Sequence, residues 1–155
     1  MKNQCLIVDD NAMVRETTAM LIKHIAGCPV RCCAGAEEAL LAFKQEPDAY
    51  GCVITDFNMP GMNGLELGGL LRAIAPEVKM LLVTGNPGAV DDGELNENGF
   101  HALLPKPFNM SLLRDAIRSF FQPAGNDVPS TVLRSPFEGS FSFHEKSNVL
   151  AFAAA

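Results

Sequence analysis

Five polar residues directly follow apolar runs of the sequence, and their types suit the handling of a phosphoryl group. They are three acids, a hydroxyl and a lysine: Asp9, Asp10, Asp56, Thr84 and Lys106. Carboxylates that lie close together repel one another, and a hard cation such as Mg2+, which prefers oxygen ligands, relieves that repulsion. A carboxylate can also attack a phosphoryl group as a nucleophile. A hydroxyl and an ammonium can then stabilise the charge on the phosphoryl oxygens.

The apolar runs before these residues are short and bounded by turn residues, which is typical of strands buried on both faces. Segments with helical spacing or helix-forming composition alternate with them. Asn11 is placed to cap the first helix and Gly27 to end it. Residues 89–98 are acidic and poor in large apolar side chains, so a helix there is expected to be short or mobile. The predicted strands are Leu6–Val8, Val30–Cys33, Cys52–Ile54, Met80–Val83 and Ala102–Leu104.

This alternation predicts an α/β fold, a doubly wound (βα)5 domain of the flavodoxin-like type. The expected sheet is parallel and five-stranded, with order 2-1-3-4-5 and helices on both faces. In that order strands one, three, four and five are neighbours. We therefore expect the five polar residues to converge at the carboxyl edge of the sheet.

Composition limits the classes of function that remain. The chain has 155 residues and a net charge of −6, which disfavours direct nucleic-acid binding because such binding needs Lys and Arg against phosphate. No apolar run is long enough for membrane insertion and no signal peptide is evident, so a cytoplasmic location is expected. The five cysteines are expected to be reduced and mostly buried. We predict one domain over 1–122 and a tail over 123–155, containing Pro, Gly, Ser and Phe, that is flexible or packed on the body.

Four segments, taken together, resemble the receiver domain of two-component response regulators. They are the run ending in Asp9-Asp10, the stretch from Ile54 to Gly64 around Asp56, the Leu-Val-Thr-Gly around Thr84, and the Pro-Lys-Pro-Phe around Lys106. Their order and separations make the resemblance specific. It covers about residues 2–121 and does not include the tail.

The resemblance implies a metal site and a phosphorylation site. Asp56 would be the phosphoacceptor, and Asp10 a direct Mg2+ ligand. Asp9 would act on the ion largely through water, and the backbone carbonyl of Asn58 would be a further ligand. The side chain of Asn58 would lie near the phosphoryl group.

The resemblance also implies residues that contact the transferred group. Thr84 would follow the phosphoryl group and Lys106 would pair with it. The Lys106–Pro107 bond is expected to be cis, as is usual in the family. The family usually has an aromatic switch residue three positions before the lysine, but this chain has Leu103 there, and Phe100 is out of register.

We therefore expect a stand-alone, single-domain response regulator of a bacterial phosphorelay. A histidine kinase or phosphotransfer protein would donate a phosphoryl group to Asp56 in the presence of Mg2+, and a downstream protein would recognise the phosphorylated state. The domain would be a signalling phosphoacceptor that catalyses only its own phosphorylation and dephosphorylation, and not an enzyme acting on other substrates.

Two alternatives belong to other functional classes. A haloacid-dehalogenase-type phosphatase also uses an aspartate nucleophile on a similar sheet, but it needs an acid two residues later, where this chain has Asn58. A phosphorylation-independent interaction module would have no use for the complete set of site residues. It stays open because Leu103 replaces the usual aromatic.

Overall fold

The computed structural model describes residues 2–121, 130–133 and 149–152. It confirms an α/β domain in which short strands alternate with helices. The strands are β1 (Gln4–Val8), β2 (Val30–Cys33), β3 (Tyr50–Asp56), β4 (Lys79–Thr84), β5 (Ala102–Pro105), β6 (Ser130–Leu133) and β7 (Val149–Phe152). The α-helices are α1 (Ala12–Ala26), α2 (Ala36–Gln45), α3 (Gly64–Ile74), α4 (Asp92–Glu97) and α5 (Met110–Phe121), and a 3-10 turn covers Pro87–Ala89.

The strands form one parallel sheet, and its first five strands have the predicted order β2-β1-β3-β4-β5. Two short strands not predicted from the sequence, β6 and β7, continue the sheet beyond β5. They belong to the segment 123–155. The prediction that this tail is flexible or packed on the body otherwise lies outside the described residues.

Two apolar clusters cover the two faces of the sheet. One lies under α2, α3 and α4 and includes Leu6, Val53 and Leu82. The other lies under α1 and α5 and includes Ile7 and Ile54. Because neighbouring residues of each strand enter opposite clusters, the central strands are buried on both sides, as their wholly apolar sequences predict. None of the helices in the described ranges has the length and apolar character needed to cross a membrane.

Local sequence signals position the helices that flank the site. The Asn11 side chain accepts a hydrogen bond from the Val14 amide and caps α1, and Gly27 ends that helix with φ of 62°. Asn63 and Glu66 form a capping box at the start of α3. The weak segment 89–98 forms the six-residue helix α4. It is short, as predicted.

All five cysteines are free thiols, in agreement with a reduced protein. Cys5, Cys33 and Cys52 are buried, whereas Cys28 is half-buried and Cys32 is exposed. Burial among apolar side chains raises the pKa of Cys28 and Cys33 above the ordinary thiol value. This shift favours the protonated thiol, which is the less nucleophilic form, at neutral pH.

Candidate functional site

Three carboxylates converge at the carboxyl edge of the sheet. Asp9 and Asp10 follow β1, and Asp56 is the last residue of β3. One oxygen from each of the three lies within 4.8 Å of the others. Asp9 and Asp56 are buried, with 5% and 8% of their surface exposed, whereas Asp10 is exposed to solvent. Three oxygens at this spacing can share one divalent cation.

Lys106 supplies a positive charge to this cluster from the loop after β5. Its Nζ lies 3.2 Å from Asp9 Oδ2 and 3.3 Å from Asp56 Oδ1, so one ammonium bridges two buried carboxylates. The loop is tied to the sheet by the Lys106 amide, which donates to the Thr84 carbonyl over 2.7 Å. The peptide bond between Lys106 and Pro107 is cis, as the resemblance implies.

Backbone hydrogen bonds fix the position of Asp9. Its Oδ1 accepts from the Asn11 amide over 2.8 Å, and its own amide donates to the Cys33 carbonyl over 3.2 Å. These bonds extend the register of β1 by one residue and turn the chain into α1. The carboxylate of Asp9 therefore has a fixed direction toward Lys106.

The surroundings of Asp56 make its carboxyl harder to ionise than an exposed one. Burial raises the pKa of this carboxyl above its ordinary value, and the neighbouring carboxylates of Asp9 and Asp10 add to that rise. The Lys106 ammonium opposes both effects by its charge and its hydrogen bond. The carboxylate of Asp56 is thus poorly solvated, a state that a cation or a transferred group at this position would relieve.

The loop between β3 and α3 folds tightly over Asp56. The Gly64 amide donates to the Phe57 carbonyl over 2.9 Å, and the Phe57 amide donates to the Val83 carbonyl over 2.8 Å. A Cβ atom at position 64 would collide with the Asp56 carbonyl oxygen. Glycine is required here by a close approach of two backbone segments, which the sequence analysis did not identify.

Thr84 is fully buried at the end of β4, and its hydroxyl oxygen accepts from the Asn86 amide over 3.1 Å. As an acceptor in this bond, the hydroxyl keeps its own hydrogen for another partner. Leu103 pairs with Leu82, two residues before Thr84, and is fully buried on the same face of the sheet. Phe100 is buried against Gly68 of α3, so this ring is a core residue.

Asn58 and Arg15 flank the acidic cluster from the loop after β3 and from α1. Asn58 is exposed in the loop after β3, and its metal-binding role stays a prediction. Arg15 was not identified as a site residue, yet its guanidinium donates to the Asp9 carbonyl over 2.7 Å. Its only sequence signal is its position six residues after Asp9, about one turn into α1.

Comparison with known families assigns this arrangement to a class. The family model described as the response regulator receiver domain matches residues 5–118. The chain therefore belongs to the response regulator receiver domain family. The match covers the five strands β1 to β5 apart from Gln4, and both segments that carry the carboxylates, and it confirms the resemblance found in the sequence.

Curated relatives agree with this assignment. The response regulator protein FleR of Pseudomonas aeruginosa is 36% identical over 118 residues, which are 76% of this chain and 24% of FleR. The transcriptional regulatory protein FixJ of Azorhizobium caulinodans is 34% identical over 116 residues, covering 73% of this chain and 52% of FixJ. This chain thus spans about a quarter of FleR and about half of FixJ.

Among solved structures, the response regulator TrrA of Thermotoga maritima has a TM-score of 0.68 and 28% identity, over 78% of this chain and all of TrrA. Its structure is that of a complex with Mg2+ and a beryllium fluoride. Chemotaxis protein CheY4 of Vibrio cholerae gives the same TM-score at 26% identity, over 78% of this chain and all of CheY4. The family match assigns the chain to receivers and not to the haloacid-dehalogenase-type phosphatases considered above.

Proposed function

We propose that this receiver domain accepts a phosphoryl group on Asp56 in the presence of Mg2+ and signals through a protein contact that depends on phosphorylation. The observation that carries the proposal is the acidic cluster in which one carboxylate oxygen each of Asp9, Asp10 and Asp56 lies within 4.8 Å of the others. Lys106 bridges its two buried members, Asp9 and Asp56. Family membership supports the phosphoacceptor role.

The chemistry of the transfer follows from the side chains present. An Asp56 carboxylate oxygen forms a bond to phosphorus while the phosphorus–nitrogen bond of a donor phosphohistidine breaks. The electron pair of that bond remains on the donor nitrogen, which then binds a proton. Lys106, already 3.3 Å from Asp56 Oδ1, is placed to pair with a phosphoryl oxygen, and the Thr84 hydroxyl can donate to another. In the later dephosphorylation, a water oxygen forms a bond to phosphorus while the bond from phosphorus to the Asp56 oxygen breaks. Asp56 leaves as a carboxylate, and the protons of the water go to the released inorganic phosphate and to solvent.

The donor set fits a magnesium ion. Carboxylate oxygens are the ligands that Mg2+ prefers, and exposure of Asp10 leaves room for the waters that this ion retains. Asp10, Asp56 and the Asn58 carbonyl would hold it, with Asp9 acting through water. When bound, the ion would neutralise charge on the transferring phosphoryl group. The likeness to TrrA, crystallised with Mg2+ and beryllium fluoride, supports this part of the proposal.

The proposed partners are a histidine kinase or phosphotransfer protein as donor and a downstream protein as receiver of the signal. A cytoplasmic location, a bacterial phosphorelay and a stand-alone mode of action belong to the same proposal. The net charge of −6 supports an output through protein rather than through direct nucleic-acid contact.

Phosphorylation by a small donor tests the proposal. The chain is incubated with acetyl phosphate and Mg2+, and intact-mass spectrometry measures the gain of one phosphoryl group. We expect this gain in the wild type, its loss in Asp56→Asn and its loss when Mg2+ is chelated. Asp48→Asn removes an exposed carboxylate far from the cluster and serves as the matched control, with no loss expected. Modification of the Asp56→Asn variant would contradict the assignment.

A further inference from the structure

Arg15 contacts the site through the protein backbone. It lies in α1, where its amide donates to the Asn11 carbonyl over 2.9 Å. Its Nη1 donates to the backbone carbonyl of Asp9 over 2.7 Å, a short, charge-assisted hydrogen bond in a half-buried position. The side chain thus reaches back from the helix to the peptide group that joins Asp9 to Asp10.

That peptide group connects two acids with different surroundings. The Asp9 carboxylate is held on both oxygens, by the Asn11 amide and by Lys106. Asp10 is exposed, and its direction depends on the peptide plane from which it emerges. By holding the carbonyl of this peptide, Arg15 fixes the plane and with it the starting direction of the Asp10 side chain.

We propose that Arg15 is a positioning residue for the acidic pair, and that it sets the affinity of the cluster for Mg2+ by orienting the Asp9–Asp10 peptide. This inference rests on the proposed function, since it concerns the same metal site. Arg15 would act without contacting either the ion or the phosphoryl group.

The charge of Arg15 and its positioning role predict opposite changes in Mg2+ affinity when the residue is removed. The direction of the measured change therefore tests the proposal. A guanidinium near the cluster repels a divalent cation, so a purely electrostatic Arg15 would weaken Mg2+ binding and its removal would tighten binding. A positioning Arg15 strengthens binding, and its removal weakens it. Loss of a residue that orients a metal ligand typically lowers metal affinity about 10–100-fold.

The experiment measures Mg2+ affinity of the unphosphorylated chain by titration, with NMR shifts of the amides around Asp56 as readout. Arg15→Met keeps the apolar stem and removes the donor, and we expect Mg2+ to bind about tenfold more weakly. Arg15→Lys keeps the charge and one donor, and we expect it to recover part of the affinity. Lys23→Ala removes an exposed charge about 12 Å further along α1, and we expect no more than about a twofold change.

The outcomes separate this inference from the proposed function. Wild-type affinity or tighter binding in Arg15→Met would overturn the positioning role. If the wild type binds no Mg2+ and accepts no phosphoryl group, the proposed function itself fails. Should Arg15→Met unfold, the comparison of Arg15→Lys with Lys23→Ala decides, because Arg15→Lys keeps the charge but not the guanidinium geometry. Weaker Mg2+ binding in Arg15→Lys than in Lys23→Ala would support the positioning role, and equal affinity in the two variants would overturn it.

Discussion

The carboxyl and amino edges of the same sheet differ in whether their paired charged side chains are buried or exposed. At the carboxyl edge, Asp9 and Asp56 are buried and share Lys106 at 3.2 and 3.3 Å. At the amino edge, Lys2 and Asp48 lie 3.8 Å apart, and Asp48 is 92% exposed. One half-buried titratable group of the amino edge is His101, whose Nδ1 accepts a hydrogen bond from the Met80 amide and is therefore unprotonated.

The two edges also differ in the charge state that the pKa shifts favour. Burial, followed by the charges of Lys79 and Arg72, lowers the pKa of His101 to about 4, so the amino edge keeps a neutral imidazole. Burial raises the pKa of Asp56, yet the proposed phosphoacceptor role requires this group to be ionised. As pH rises through the folded-state pKa of Asp56, the fold loses stability. We infer that ionised Asp56 lowers the stability of the fold at neutral pH at the edge where the proposed chemistry takes place. His101 at the amino edge is neutral at this pH and carries no such cost.

The largest effect is expected where the backbone itself closes the carboxyl edge. Gly64→Ala places a methyl group against the Asp56 carbonyl oxygen, so the loop after β3 must shift. We expect a loss of about 2–3 kcal/mol in the free energy of unfolding, measured by urea denaturation. Gly35→Ala is the control, since within the described residues no atom lies within 4 Å of an added methyl group, and we expect about 0.5 kcal/mol. Equal losses in the two variants would show that the close approach is unimportant.

The same lysine substitution at each edge tests the comparison directly. Lys106→Met removes the cation shared by two buried carboxylates, and we expect a loss of about 1–2 kcal/mol at neutral pH. The loss should shrink at low pH, where Asp56, whose pKa is raised by burial, becomes protonated, and on addition of Mg2+. Lys2→Met removes an exposed ion pair and should change the free energy of unfolding by less than about 0.5 kcal/mol. A comparable loss in both variants would contradict the contrast between the edges.

The smallest effect concerns the pH dependence of the amino edge. Because the folded-state pKa of His101 lies below its unfolded value of about 6.5, the unfolded chain binds the proton first, and stability falls as pH drops from about 6.5 to about 4. In His101→Gln an amide oxygen can still accept from the Met80 amide but does not titrate. We expect the melting temperature of this variant to fall less over that range, whereas His24→Gln, on the exposed face of α1, should behave as the wild type. If the melting temperature of His101→Gln depends on pH as in the wild type, His101 does not cause this loss of stability.

Much of the fold could be predicted because its signals are local. Short apolar runs indicated the five strands β1 to β5, and Asn11 and Gly27 marked the two ends of α1 as observed. The weak composition of 89–98 predicted a short helix, and α4 has six residues. Beyond α5 the frequent Pro, Gly and Ser indicated a tail, and the strands β6 and β7 were not predicted.

The sequence predicted which residues gather at the site, but not which of them are in contact. Parallel strands bring their carboxyl ends to one edge, so convergence of Asp9, Asp10, Asp56 and Lys106 followed from the strand order. The need for glycine at 64 and the role of Arg15 did not follow, because each depends on a distance between segments that sequence spacing does not define. Sequence alone likewise left the surroundings of Phe100 open.

The sequence by itself determined which chemical groups this protein has and at which edge of the sheet they gather. Strand periodicity and helix caps are properties of neighbouring residues, and they suffice to order the elements. Only the tertiary structure decided that Lys106 bridges Asp9 and Asp56, that burial outweighs this lysine in raising the pKa of Asp56, and that Arg15 holds the peptide between the two N-terminal acids. Electrostatic energies depend on distance and solvation, and both are fixed only when the segments pack together.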